Sequence, residues 1–126
     1  MADVFRPMTV RSEHDVVVLR QRIREAGRAT GLTLTQQAKL TTAVSTITRR
    51  LLLRCSQIMC GIAMDEQNQS PMFVVECRFT EQTPADGAQA GAHALELHDV
   101  QALVDEASVA RASGEALLIL RMRIAA

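Results

Sequence analysis

A chain of 126 residues carrying 14 Lys/Arg and 14 Asp/Glu, formal net charge zero, has the length of one domain with a single hydrophobic core. Its 48% apolar content belongs to a globular chain rather than a disordered one, and no apolar run nears the ~20 residues of a membrane span. With no basic excess and only Phe5, Phe73 and Phe79 to stack on bases, nucleic acid is a poor partner.

Further exclusions follow from single residue types. Met1-Ala2-Asp3-Val4-Phe5-Arg6 contains no apolar signal region, so a cytoplasmic location is the default expectation. Cys55, Cys60 and Cys77 are an odd number without a Cys-x-x-Cys pair, and His14, His93 and His98 are scattered. Reduced, unbridged thiols packed as small apolar side chains are expected, with no metal site. The charge is unevenly spread. Residues 1–54 hold ten Lys/Arg against four Asp/Glu, a net of +6, and residues 55–126 hold four against ten, a net of −6. Such a dipolar surface orients a charged partner or a second copy of the chain, although basic clusters also serve simply to keep a face solvated.

In chain order, residues 4–10 read as a strand, with Pro7 pointing to a sheet edge. Ser12-Glu13-His14-Asp15 opens a helix in capping-box fashion, with Val16, Leu19, Ile23 and Ala26 on one face and Arg20 and Arg24 one turn apart on another. Gly27 or Gly31 ends it. Thr33 and Gln36 form a second capping box, and Leu40, Ala43, Val44, Ile47 and Leu51 make the apolar stripe of a central helix reaching toward Cys55. Ile58 to Met64 and Phe73 to Phe79 alternate inward and outward about the polar turn 65–71, predicting an antiparallel hairpin. Residues 80–94 have no periodicity and read as loop. Val100, Leu103, Val104 and Ala107 have helical spacing and predict a third helix. Leu118, Leu120, Met122 and Ile124 predict a last strand. Helices and strands do not alternate strictly. The expected class is therefore α+β, a two-layer sandwich with a mixed, mostly antiparallel sheet and helices on one face, forming a single domain over 1–126.

The words Ala43-Val44-Ser45-Thr46-Ile47-Thr48-Arg49-Arg50 resemble the nucleotide-binding helix of histidine-kinase-like ATPases, in particular the anti-sigma and switch serine kinases of bacterial partner-switching pathways. That helix reads roughly Ala-Val-Ser-Glu-Ile-x-x-Asn. Here the Glu position is Thr46 and the Asn position is Arg50. The family's Asp-x-Gly-Pro-Gly falls on Glu81-Gln82-Thr83-Pro84-Ala85, which puts Glu81 at the adenine-recognising Asp and Thr83 and Ala85 at the glycines. Its Gly-Leu-Gly-Leu falls on Ala94-Leu95-Glu96-Leu97, and its Leu-Met-Asp-Glu on Leu103-Val104-Asp105-Glu106. Its Gly-x-Gly-Thr falls on Ser113-Gly114-Glu115-Ala116. The order and spacing are kept while the chemical residues are changed. The resemblance implies the same two-layer fold.

In the family, as the resemblance implies, the Glu polarises the attacking group and the Asn oxygen holds magnesium. Thr46 has no carboxylate and is a poor general base. Arg50 brings a fixed cation, which at ~4 Å and an effective dielectric near 20 repels another by about 4 kcal/mol per unit charge. Arg50 also lacks the oxygen a hard divalent metal wants. Glu96 sets a carboxylate where a helix N-terminus would face phosphate. Thr46, Arg50, Glu81, Thr83, Ala85 and Glu96 are thus vestigial positions, with no catalytic residue, no metal and no cofactor expected.

The leading expectation is a non-catalytic regulator that keeps partner-binding surfaces. By resemblance its partner would be an anti-sigma-factor antagonist, a sigma factor, a partner-switching phosphatase or a kinase homologue. Arg20, Arg24, Arg49, Arg50 and Arg54 form the expected partner surface. An alternative is an active ATP-dependent serine/threonine kinase or anti-sigma factor in which Arg50 grips phosphate and Glu81 accepts from adenine. A plain interaction or dimerisation module is the third reading.

Overall fold

The computed structural model describes residues 2–66, 70–80 and 97–124. In chain order these form β1 (Ala2–Val10), α1 (Glu13–Thr30), α2 (Leu34–Leu52), β2 (Ile58–Asp65), β3 (Met72–Thr80), α3 (His98–Gln101), β4 (Glu106–Ala112) and β5 (Glu115–Arg123). The strands make one sheet in the order β1-β2-β3-β5-β4, and each neighbouring pair is antiparallel. The class is α+β, as expected, and the sheet is antiparallel throughout its described pairs rather than mixed.

Local signals set the two long helices. Ser12 caps α1, its hydroxyl accepting from the Asp15 N–H at 3.4 Å, and Asp15 Oδ2 accepts from the Arg11 N–H at 2.9 Å. Gly31 rather than Gly27 ends α1, in the left-handed region with φ 105°, and the N–H groups of Gly31 and Leu32 both return to the Gly27 carbonyl. That φ suits a residue without a Cβ. The Thr33–Gln36 capping box opens α2, with both reciprocal bonds present at 3.0 and 3.1 Å. The Gln36 amide also donates to the Arg123 carbonyl at 2.7 Å, tying the start of α2 to the end of β5.

The α2 stripe is the centre of the core: Leu40, Ala43, Val44, Ile47 and Leu51 are all buried. A second row, Thr41, Ser45 and Thr48, is buried as well, and each hydroxyl donates to the carbonyl four residues back. Small polar residues can enter the core this way because no donor is left unsatisfied. From α1, Val16, Leu19, Ile23 and Ala26 join them. The sheet contributes Ile58, Cys60, Ile62, Phe73, Val75, Cys77, Phe79, Leu118, Leu120 and Met122. Both long helices pack on the same side of the sheet, with α1 against β1 and β2 and α2 against α1 and β2. Pro7 lies on edge strand β1, where the ladder slips between Phe5 and Met8, as a residue without an N–H requires.

One expected element changes type. The third helix is only His98–Gln101, and Ala107, its fourth apolar position, belongs to strand β4. Along β4, Ala107 and Val109 pair with the inward Leu120 and Leu118 of β5. The hairpin closes through Ser113 and Gly114, at φ 55° and 82°. Two successive positive φ values define the tight type I′ connection, whose twist matches that of paired strands. Strand pairing through this turn overrides the helical spacing of Val100, Leu103, Val104 and Ala107. Among the described residues no helix is long and apolar enough to cross a membrane.

Candidate functional site

The expected site residues that are described divide between the C-terminal half of α2, with the turn after it, and a basic face on α1. On α2, Thr46 and Arg50 are both half-buried and lie one turn apart, so they share a side of the helix. Arg50 reaches α3. Its Nη1 donates to Asp99 Oδ1 at 3.0 Å and its Nη2 donates to Oδ2. This is the two-pronged geometry that a planar guanidinium makes with a carboxylate. The hydrogen bond from Arg50 holds the Asp99 carboxyl below its ordinary value, against the opposing effect of desolvation. Glu81, Thr83, Ala85, Glu96 and the segment 86–92 lie outside the described residues.

Arg49, next in sequence, is spent in the opposite direction. Its Nε donates to both oxygens of Glu13 at 3.1 and 3.0 Å, and its Nη2 donates to Oε1 at 2.6 Å. This fork joins the C-terminal part of α2 to the first turn of α1. It lowers the Glu13 carboxyl and raises the Arg49 guanidinium. Two of the five arginines expected to form a partner surface are therefore committed within the chain. Arg54 lies exposed in the turn after α2.

The remaining pair, Arg20 and Arg24, sits differently. With Val17 and Gln21 they line a shallow groove of about 210 Å³ along α1. Val17 is 41% exposed there. The Arg20 Nε is buried and has no hydrogen-bond partner among the described residues. A desolvated guanidinium N–H without an acceptor costs free energy until an acceptor arrives. The helical spacing of these residues was legible in sequence; the unpartnered Nε was not, because it depends on packing.

Among the described residues no group of three or more His, Cys, Asp or Glu is placed to hold a metal. Cys55, Cys60 and Cys77 are all free thiols, with Cys60 and Cys77 buried.

No protein-family model and no curated protein matches the chain. Among solved structures, it is similar to the crystal structure of the RsbU and RsbW domains of Rv1364c from Mycobacterium tuberculosis. The TM-score is 0.68 at 16% sequence identity, covering 95% of this chain and 33% of that one. The chain thus spans a third of the length of that structure's chain. At this identity the likeness is one of fold, and it agrees with the two-layer architecture that the α2 sequence implied.

Proposed function

We propose that this chain is a non-catalytic regulator of the partner-switching type, working by protein–protein binding rather than by ATP chemistry. The Arg50–Asp99 contact carries the reading. Where the resembling family presents an oxygen for magnesium, this chain presents a guanidinium whose two prongs are already engaged by a carboxylate. Thr46 supplies no base one turn earlier. The shared fold with a structure containing an RsbW domain supports the partner-switching setting. The partner would be an antagonist, sigma factor, phosphatase or kinase homologue with an acidic face, received on the α1 groove.

Thermal melting with and without magnesium-ATP tests the loss of nucleotide chemistry. A ligand at 100 times its Kd stabilises a fold by about 2.7 kcal/mol, a shift melting resolves easily. No shift is expected at millimolar nucleotide. An upward shift with ATP overturns the loss of the nucleotide site; if it persists without magnesium it favours the kinase alternative, in which Arg50 leaves Asp99 for phosphate.

A further inference from the structure

The β2–β3 ladder sets Cys60 directly opposite Cys77. Their sulfurs are 3.6 Å apart, within hydrogen-bond distance, and both side chains are buried, at 1% and 0% exposure. They lie in one row that crosses all five strands: Met8, Cys60, Cys77, Leu118 and Val109. Every other member of that row is apolar, so it contains no base and no cation to favour a thiolate. We propose that Cys60 and Cys77 are a latent cross-strand disulfide, a staple that closes when the protein meets peroxide and reopens under thiol reductant.

The geometry favours closure without a change of fold. Opposite residues on antiparallel strands have Cβ atoms about 4.5–5.5 Å apart. A disulfide needs about 3.5–4.5 Å between Cβ atoms and 4.4–6.8 Å between Cα atoms. The sulfurs must approach from 3.6 Å to the bonded distance of about 2.05 Å, a movement that side-chain rotation with slight strand adjustment supplies. The chemistry balances with hydrogen peroxide as the named oxidant. One thiolate attacks a peroxide oxygen, the O–O bond breaks, and a sulfenic acid and hydroxide form. The second thiolate attacks that sulfur and expels its oxygen as hydroxide. The two sulfurs together lose two electrons, the two thiol protons end on the hydroxides, and the products are one disulfide and two waters.

The surroundings set the rate. The hydrogen bond in which the Cys77 thiol keeps its proton toward Cys60, burial, and the nearby charges of Cys60 and Glu76 push the Cys77 thiol well above its ordinary range. The thiolate is the reactive form, so the pair closes slowly, through transient opening of the hairpin. Cys55 is half-buried at the end of α2, its thiol donating to the Thr80 carbonyl at 3.4 Å; it is the more accessible of the three and must be removed for a clean test.

The experiment uses the full chain as Cys55→Ser, treated with hydrogen peroxide, quenched, denatured and alkylated. Expected is a monomer about 2 Da lighter that takes no alkyl groups, where the untreated protein takes two. Its melting point should rise by roughly 5–15 °C, as a staple across a short loop gives, and dithiothreitol should reverse both changes. Adding Cys77→Ser should abolish the mass loss and the shift. Free thiols after prolonged peroxide, oxygen added as 16 or 32 Da without a crosslink, a disulfide between chains, or an oxidised form that melts lower would each overturn the proposal.

Discussion

Arg50 and Asp99 stand 49 residues apart in sequence yet meet edge to edge, joining the last turn of α2 to α3. Arg49 and Glu13, 36 residues apart, meet in the same way at the start of α1. Two adjacent arginines thus fasten α2 to two different elements. Both pairs are substantially exposed, with side-chain accessibilities of 36% and 52% for Arg50 and Asp99, so each stabilises only modestly.

These pairs fix a pH dependence. Glu13 and Asp99 titrate below their ordinary values of 4.5 and 3.8 in the folded chain. A depressed carboxyl pKa contributes stability that is complete above the unfolded value and is lost as pH falls through the folded one. Arg49 is raised further above its already high ordinary value and stays charged throughout. Melting curves of Glu13→Gln and Asp99→Asn should therefore lie slightly below wild type at pH 7 and merge with it in acid below those ordinary values. High salt should narrow the gap at pH 7. Variant curves that coincide with wild type at pH 7 would show that the pairs contribute nothing.

The core of α2 makes a larger prediction. Ile47 is fully buried, and Ile47→Ala should cost about 2–5 kcal/mol through lost apolar contact and the cavity left behind. Thr33→Ala removes the capping acceptor and should cost about 1 kcal/mol. Chemical denaturation reads both, with the slope unchanged if unfolding stays two-state. A loss under 1 kcal/mol for Ile47→Ala would mean that the stripe is not the core.

Much of this was legible in the chain. The Thr33–Gln36 box, the Leu40-to-Leu51 stripe and the β2–β3 hairpin are local signals, and each formed as read. What escaped depended on distant partners. The Arg49 and Arg50 ion pairs have no local spacing to announce them. Strand β4 was hidden because Val100, Leu103, Val104 and Ala107 imitate a helix, while its real determinant is pairing with β5. The two-residue Ser113-Gly114 turn is the local signal for this hairpin, and its resemblance to a degraded glycine motif masks it.

That turn can be tested directly. Ser113 holds φ 55°, a conformation that Asn tolerates better than Ser. Ser113→Asn should stabilise by about 0.5 kcal/mol. Gly114→Ala should destabilise through its φ of 82° alone, since nothing lies within 4 Å of the added carbon. Gly31→Ala should cost more, about 1–3 kcal/mol, because at φ 105° its Cβ would also meet Ile124 Cγ2 at 3.3 Å. Denaturation midpoints that rank Gly114→Ala as the worse of the two would contradict the packing at Gly31.

The α1 groove carries the functional prediction. Arg20 and Arg24 flank Val17 there, and the buried Arg20 Nε has no acceptor among the described residues. Arg24 is exposed, so Arg24→Glu alone should change stability by no more than about 0.5 kcal/mol; Arg20→Glu also removes the desolvated Nε, so the melting point of the double variant is measured beside its association. Association should change far more. An acidic partner face is drawn to this helix by long-range attraction, which raises the association rate and makes it fall with added salt. Arg20→Glu with Arg24→Glu should slow association with the partner, or with a second copy of the chain, and flatten its dependence on ionic strength. Arg54→Glu, in the turn after α2, serves as a control of equal charge change per residue and should have the smaller effect. Stopped-flow association across a salt series separates the outcomes. An unchanged rate and slope in the α1 double variant would mean that these arginines only solvate their face and that the partner binds elsewhere.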